Sequence, residues 1–501
     1  MSESMPVEVA EAPQTRASGQ LAAGQLTLLD TIAQSVTVMA PSMSGGFITY
    51  LAAVKAGGAT PLAFLLAMLA CLLIGGVVSK FALDLRSAGS LYTYVTHGLG
   101  SFWGYLTGWG YGFGLWLAGP AVLAGSGAFL GLFMTNIGAP SFLCQWWLWF
   151  AVGLLGWFAL GYRNVKVSTR VFLVFTSIGV AVLLLLGVIV IAKGGAHGNT
   201  IKAFSPGAAG VSWPDVLGGV AFGLLSFTGF ETAACLAEET RKPRRDIPLA
   251  VMGAVLFGGV FYVVVTYATS IGYGVRHATT AWPASASGLA PLANTYASFL
   301  SDLVLLVVAV DAFLCGLGLA NTVTRTVFAM GRDRVLPRVF ARTHPKYKTP
   351  YVALIAYLIV SVVFVLLLIA VTTQHTRNAM AGGPGPLAAG LYVFAEGLTI
   401  IPPPIMLGYA LLSMAGIAKG VRSRSAGMVT LAIGGLIASG AAVYGSLYFC
   451  FVAPAPGAAI PAPYAVIPWL VLGWLVLGAA VALWLKRARA AAWEGMGTIF
   501  A

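Results

Sequence analysis

Two apolar stretches of this chain are interrupted by residues that weaken a helix and that can bind a ligand. The first interruption covers 40–46 and reads APSMSGG, and the second covers 226–232 and reads SFTGFET. Proline removes an amide donor, and glycine beside Ser or Thr adds backbone freedom and competing hydrogen bonds. Broken helices at corresponding places in two halves of a membrane chain are typical of a transporter's binding site. The other elements must position this pair of breaks.

The first break offers donors for an anion. Free backbone amides at the start of the outer half-helix present partial positive charge to a carboxylate. We expect these amides to be those of Met43, Ser44, Gly45 and Gly46, with the hydroxyls of Ser42 and Ser44 nearby. The alternative is that Pro41 and the glycines only kink the helix or let neighbouring helices approach closely.

The second break offers acceptors, an acid and two aromatic rings. Carbonyls left unpaired at Phe227 and Thr228 can accept hydrogen bonds from an ammonium group. Inserting a charged side chain such as that of Glu231 this deep in the membrane costs about 2.5–3.5 kcal/mol. We therefore expect Glu231 to face the bundle, where it senses protons or locks the helix. A purely structural hydrogen-bond hub is the alternative. Phe227 and Phe230 can close over a substrate as a gate, or they can simply pack in the core.

Four further acidic residues lie within or beside apolar stretches. Asp311 is either a polar contact inside its helix or a coupling group. Glu396 lies in the outer third of its stretch, where it can select a cationic substrate or carry a proton. Glu238 and Glu239 precede a basic run, and we expect them to form an inner gate or clamp with Arg241, Arg244 or Arg245.

Composition places the chain in a membrane. Charged residues make up 9% of the 501 residues and hydrophobic residues 59%, whereas soluble domains carry about 25% charged residues. The net charge of +13 lies in clusters between apolar runs and forms no continuous basic face, which excludes nucleic-acid binding. The five Cys and five His show no spacing for a metal or a catalytic triad. We therefore expect no cofactor, no metal and no enzyme active site.

Twelve apolar runs are long enough to cross a bilayer core of about 30 Å. They lie near 27–54, 62–79, 101–134, 143–160, 170–192, 215–237, 248–272, 299–330, 350–371, 387–413, 426–451 and 464–485. Most Lys and Arg residues fall in the alternate loops that are cytoplasmic if both termini are inside. We expect an all-α, multi-pass protein of the cell membrane with both termini in the cytoplasm.

Four motifs resemble those of the amino acid–polyamine–organocation (APC) transporters. The most specific is GFE at 229–231 followed by EETRKPRRDIP at 238–248, which is similar to the family's G-[FY]-E break, acidic pair and K-P-[KR]-R run. SAGSLYTY at 87–94, GYLTGW at 104–109 and FAMGRDRVLP at 328–337 stand in the family's order. The resemblance covers roughly 26–485.

The resemblance implies two inverted five-helix repeats, with helices 1 and 6 discontinuous and helices 11 and 12 peripheral. The corresponding segments are repeats at 26–192 and 210–415 and helices 11–12 at 426–485. From composition and charge we expect a disordered cytoplasmic tail at 1–25, which is polar and Ala-rich, and a cytoplasmic tail at 486–501. The implied activity is secondary transport of an amino acid or related organic amine, by substrate exchange or proton symport. The expected partners are that small molecule and membrane lipid, with a homodimer left open.

The resemblance also assigns further residues. Tyr105 matches a gate position of a resembling exchanger, and Leu225 stands where that exchanger has a substrate-stacking Trp, which weakens the case for a guanidinium substrate. A cation-like site used by relatives would be filled here by Asn321, Thr322, Thr176 and Ser177. The lysine that some proton-coupled relatives carry in helix 5 has no counterpart between 170 and 191.

Two other classes of function are alternatives to transport. A membrane-embedded enzyme or sensor would need a catalytic spacing or a signalling domain, and the chain shows neither. An ion channel would need a repeated filter-like loop or a ring of charge, which is also missing from the sequence. The sequence therefore favours a transporter.

Overall fold

The computed structural model describes residues 21–163, 165–282, 289–371, 385–451 and 466–497. The helices up to residue 192 are α1 (Leu28–Met39), α2 (Pro41–Met43), α3 (Thr49–Ala56), α4 (Thr60–Asp84), α5 (Leu91–Leu99), α6 (Ser101–Asn136), α7 (Trp146–Tyr162) and α8 (Val165–Ala192). Those up to residue 371 are α9 (Pro206–Ala209), α10 (Trp213–Phe227), α11 (Pro243–Tyr273), α12 (Val275–Ala281), α13 (Ala290–Tyr296), α14 (Ser301–Arg332) and α15 (Tyr351–Val371). The remaining ones are α16 (Gly385–Ile400), α17 (Pro402–Arg422), α18 (Ala426–Phe451), α19 (Ile467–Ala488) and α20 (Ala490–Glu494).

Shorter helical turns join these elements. A π-helical turn covers Ser44–Ile48, and 3-10 turns cover Gly57–Ala59, Ser141–Cys144, Ile201–Phe204, Phe230–Leu236, Ser298–Leu300 and Arg338–Ala341. The β-type pairing within the described ranges is one isolated bridge, between Leu26 and Thr240. The expected all-α class is confirmed.

Ten helical stretches of the described chain are long and apolar enough to cross a membrane. One of them, Leu28–Asp84, is 57 residues long and contains two of the predicted runs, those near 27–54 and 62–79. Another predicted run corresponds to α7, which is apolar but only 17 residues long. The count of twelve spans, the inverted repeat and the segment boundaries stay predictions.

Two long helices, α6 and α14, pack along each other at the centre of the bundle, and α14 also contacts α1 and α8. Other helices approach α14 closely where α14 has a small residue. At Gly316 of α14, for example, an added Cβ would lie 2.0 Å from the ring of Trp157 on α7. Large apolar side chains face outward on the surrounding helices, and Leu155 is 70% and Trp469 68% exposed. Such an exposed apolar surface fits contact with lipid.

Both predicted interruptions are present. α1 ends where Ala40 adopts a left-handed conformation (φ 46°), and the helix resumes at Pro41, a position where no amide donor is needed. α10 ends at Phe227, and Gly229 turns the chain with a φ of +111° before the 3-10 turn. An added Cβ on Gly229 would lie 2.4 Å from Val38 of α1, so the two breaks face each other closely.

Both ends of the described chain pack against the bundle. Residues 1–20 of the expected tail lie outside the described residues, whereas Leu21 is buried. The backbone of Leu26 is hydrogen-bonded to that of Glu239 and Arg241. At the other end, Trp493 of α20 is buried.

Candidate functional site at the two helix breaks

Asp311 closes the first break. From α14, its Oδ2 accepts hydrogen bonds from the backbone amides of Ser42 (2.7 Å) and Met43 (3.0 Å), and the residue is only 1% exposed. The amide of Ser44 donates instead to the carbonyl of Ala40 at 2.7 Å. The expectation that the amides of Met43 and Ser44 are free is therefore wrong, because a carboxylate of the protein and the first turn of the helix already use them.

Gly45 and Gly46 lie in the π-helical turn that follows these amides. An added Cβ would lie 3.2 Å from the ring of Phe261 at Gly45 and 2.7 Å from the side chain of Val308 at Gly46. Both glycines therefore serve close packing, as in the alternative interpretation of this break. A substrate contact at either glycine stays a prediction.

Hydroxyl groups lie around the Asp311 carboxylate. The hydroxyl of Thr176, on α8, donates to Oδ1 at 3.4 Å and lies 3.2 Å from that of Thr37. The hydroxyl of Ser42 is buried and has no hydrogen-bond partner within the described ranges. The salt bridges of the described residues all involve other acids. No Lys or Arg of the described chain therefore pairs with Asp311.

Glu231 occupies the second break and is fully buried. Its Oε2 accepts a hydrogen bond from the amide of Gly229 at 3.1 Å, and its Oε1 accepts one from the hydroxyl of Tyr111 on α6. The ring of Tyr409, on α17, lies 6.2 Å from that of Tyr111. The carboxylate thus fixes the turn of the break and ties it to α6, as a hub or a lock would; its role in coupling stays a prediction.

One tyrosine that the sequence analysis missed joins the two breaks. The hydroxyl of Tyr262, on α11, lies within donating distance of the carbonyl of Met39 (2.9 Å) and of the carbonyl of Ser226 (3.0 Å). Ser35 of α1 makes a second link: its hydroxyl donates to the carbonyl of Phe230 at 2.7 Å. A buried tyrosine hydroxyl needs a partner, so a Tyr in the middle of an apolar helix was the available signal.

Three apolar residues assigned to the site are buried at the second break: Leu225, Phe227 and Phe230. The ring of Phe227 meets that of Tyr262 edge-on, with 5.2 Å between centroids, and the ring of Phe230 lies 5.7 Å from that of Tyr409. These contacts are those of packed core residues. A gating role for the two rings stays a prediction, as do ammonium contacts to the carbonyls at 227 and 228.

Tyr105 lies elsewhere. It is buried nearer the start of α6, where its ring is 6.0 Å from that of Trp109 and 6.3 Å from that of Trp493 near the C-terminus. These contacts place Tyr105 in a cluster other than that of the breaks, and its role as a gate stays a prediction. Tyr111, about 9 Å further along the same helix, reaches Glu231 instead.

The residues expected to form a cation-like site have other partners or are exposed, and the site itself stays a prediction. The side-chain amide of Asn321 donates to the hydroxyl of Ser168 at 3.3 Å, whereas Thr176 contacts Asp311 and Ser177 is exposed. No group of His, Cys, Asp and Glu within the described ranges could hold a metal ion. Glu396 is half-buried on α16, which packs against α6.

Two acid–arginine pairs clamp the chain just after the second break to α14. Glu239 binds Arg325 through contacts of 2.5 and 3.2 Å, and both side chains are 2% exposed. Glu238 binds Arg332 through contacts of 2.7 and 2.9 Å. The expected partners were the three arginines that follow in sequence, and this was wrong: those arginines, Arg241, Arg244 and Arg245, are exposed.

The sequence matches the amino acid permease family over residues 26–477. It is 27% identical over 320 residues to the branched-chain amino acid permease BcaP of Bacillus subtilis, covering 61% of this chain and 67% of that protein. The methylthioribose transporter of the same organism is 27% identical over 316 residues, which is 60% of this chain and 65% of its own length. The glutamate/serine transporter AimA of Bacillus subtilis is 26% identical over 352 residues, which is 64% of this chain and 62% of that protein.

The family match includes both breaks, Asp311 and the acid–arginine clamp. The similar proteins are permeases and transporters, which are generally not enzymes. A permease family implies a small-molecule substrate and a membrane, which agrees with the ten apolar helical stretches. The chain is a multi-pass membrane protein that belongs to the amino acid permease family, within the amino acid–polyamine–organocation transporters.

Proposed function

We propose that this protein is a secondary transporter that moves an amino acid or a related organic amine across the cytoplasmic membrane by alternating access. One observation carries the proposal: the hydroxyl of Tyr262 bridges the carbonyl of Met39, at the end of α1, and that of Ser226, in the last turn of α10. Two interrupted helices held face to face in this way surround a site with polar backbone groups inside an apolar bundle.

The interruptions give the movement that alternating access needs. Each half-helix keeps its own hydrogen bonds, so it can tilt against the rest of the bundle while the break stays in place. The links through Ser35 and Tyr262 hold the two breaks together during such a movement. The site would then open to one side or the other around fixed contacts.

The acid–arginine clamp supports an inner gate. With both termini in the cytoplasm, as proposed from the basic loops, the pairs Glu239–Arg325 and Glu238–Arg332 lie on the cytoplasmic side of the second break. The first of these pairs is buried and ties the turn after α10 to α14. Opening toward the cytoplasm would require α14 and this turn to separate or to move together.

The names of the relatives cover different cargoes. One relative is named for branched-chain amino acids, one for methylthioribose and one for glutamate and serine. This variety supports a small organic substrate without selecting one, and exchange and proton symport both remain within the proposal.

Counterflow in proteoliposomes tests the proposal. Purified protein is reconstituted, loaded with an unlabelled compound and offered the same compound in radiolabelled form, using neutral, cationic and acidic amino acids and amines, with and without a proton gradient. We expect at least one compound to accumulate transiently because of the internal load. Protein-free liposomes are the control, and a panel without any counterflow above that control contradicts the proposal and favours a sensor or enzyme.

A further inference from the structure

The substrate class follows from what occupies the first break, and this inference rests on the proposed function. The amides of Ser42 and Met43 already bind a carboxylate, that of Asp311, at 2.7 and 3.0 Å. The helical segments from Pro41 to Ala56 follow one another with helical backbone angles, so these amides stand at the start of one long helix. An amino acid brings a carboxylate of its own, which would need these donors or donors of equal strength.

Two other residues near the first break, Ser44 and Tyr262, also have their donors in use. The amide of Ser44 donates to the carbonyl of Ala40, and its hydroxyl donates to that of Met39 at 2.8 Å. The hydroxyl of Tyr262 serves Met39 as well, at 2.9 Å. Since the described Lys and Arg residues do not pair with Asp311, a second carboxylate at this buried place would add charge without compensation.

Acceptors, by contrast, are available. Oδ1 of Asp311 has only the long contact of 3.4 Å with the hydroxyl of Thr176. The hydroxyl of Ser42, which can accept as well as donate, is buried and has no partner among the described residues. An ammonium group has three donors and no acceptor. It therefore matches what the first break leaves open.

We propose that Asp311 supplies, from within the protein, the carboxylate that an amino acid would bring, and that the cargo is an organic amine without a carboxylate. Its ammonium group pairs with Oδ1 of Asp311 and with the hydroxyl of Ser42, while Oδ2 stays on the amides of Ser42 and Met43. One negative and one positive charge then meet in the buried site, so that the occupied site is neutral.

The test compares amines with the amino acids that carry the same side chain. Isopentylamine is set against leucine, and phenethylamine against phenylalanine, by isothermal titration calorimetry on the purified full-length protein in detergent. Each amine is expected to bind at least about tenfold more tightly than its amino acid, the factor that one buried charge-assisted contact supplies. Counterflow of the tighter ligand, corrected with protein-free liposomes, then shows whether it is transported.

Two variants separate charge from shape. Asp311→Asn keeps the size and an acceptor for the two amides but loses the charge, and is expected to weaken amine binding by about tenfold or more. Asp311→Ala frees both amides and is expected to reverse the wild-type order, so that the amino acid binds more tightly than the amine. Asp302→Asn, on the same helix about 13 Å away, is the control and should keep the wild-type order. Thermal melting first shows which variants are folded.

Two results overturn the inference and leave transport intact. The first is a wild-type protein that binds and exchanges leucine or phenylalanine as well as the corresponding amine. The second is a folded Asp311→Asn variant that keeps the wild-type preference for amines. Binding of a compound without its counterflow contradicts the proposed function instead. Absence of binding by both amines contradicts the inference, while the proposed function is then decided by the wider counterflow panel.

Discussion

Removing one partner of the Glu239–Arg325 pair is expected to destabilise the protein strongly. Both side chains are 2% exposed and are joined by contacts of 2.5 and 3.2 Å. The guanidinium also donates to the carbonyl of Asn321 at 3.1 Å. Arg325→Met replaces the guanidinium-bearing side chain by an unbranched apolar one, and it leaves the carboxylate of Glu239 buried without its partner. Breaking a buried pair in this way costs about 3–5 kcal/mol, which is the loss we expect in the free energy of unfolding.

A double variant, Glu239→Leu with Arg325→Met, tests the cause of that loss. It removes both charges, and replacing a buried ion pair by apolar residues is often neutral or stabilising. We therefore expect the double variant to recover most of what either single change loses. Asp84→Asn is the matched control, because Asp84 pairs with Lys419 at 2.5 Å while remaining 61% exposed. An exposed pair contributes about 0–1 kcal/mol.

Chemical unfolding in detergent micelles, followed by tryptophan fluorescence, measures these free energies. The reasoning is refuted if Arg325→Met unfolds no more readily than Asp84→Asn. It is also refuted if the loss in the double variant equals the sum of the two single losses, because the two residues would then contribute independently.

Three further changes test the breaks. Glu231→Gln should lower transport at least about tenfold while the amount of protein in the membrane stays unchanged. The change removes a buried charge but keeps an oxygen for the Gly229 amide. Uptake kinetics that match the wild type at every pH would count against this. Tyr262→Phe removes the hydroxyl that links the two breaks and should lower the free energy of unfolding by about 1–3 kcal/mol in the same assay. Tyr267→Phe is the control and should change it little. Equal free energies of unfolding for the two variants would show that the bridge is unimportant. Gly229 has a φ of +111°, and Gly229→Ala would put a methyl carbon 2.4 Å from Val38, so the variant should show no folded peak in size-exclusion profiles. Gly253→Ala is the control and should fold, because nothing lies within 4 Å of the added carbon. A normal profile of Gly229→Ala would contradict the reasoning.

Local chemistry made the two breaks predictable. Pro41 cannot continue a helix but fits its first position, so the sequence alone places a new start there. Gly229 adopts a φ of +111°, which residues with a Cβ rarely adopt. In both places the deciding interaction lies within a few residues along the chain, and sequence reasoning sees such interactions directly.

Long-range partners could not be predicted in the same way. Asp311 and Ser42 are 269 residues apart, so no spacing in the sequence links the acid to the amides it binds. For Glu239, three arginines nearby in sequence suggested a local pair. Exposed arginines remain hydrated at little cost, whereas a buried acid needs a buried partner, and Arg325 of α14 is that partner.

The two tyrosines of α6 show why a motif match does not locate a contact. Tyr105 belongs to the family-like motif, yet Tyr111 reaches Glu231. Six residues turn a helix by about 600°, which places the two side chains about 120° apart around its axis. A motif identifies the helix, while the face that meets the break depends on how the helix is rotated in the bundle.

Both breaks are closed by acids of the protein itself. Asp311 holds the amides at the first break and Glu231 holds the amide of Gly229 at the second, and neither forms a salt bridge within the described residues. Buried carboxylates in apolar surroundings are costly unless a proton or another cation neutralises them. A positively charged cargo would provide that neutralisation when it binds and remove it when it leaves. After the cargo leaves, a new cargo or a proton would restore the neutralisation, so this charge balance fits substrate exchange as well as proton symport.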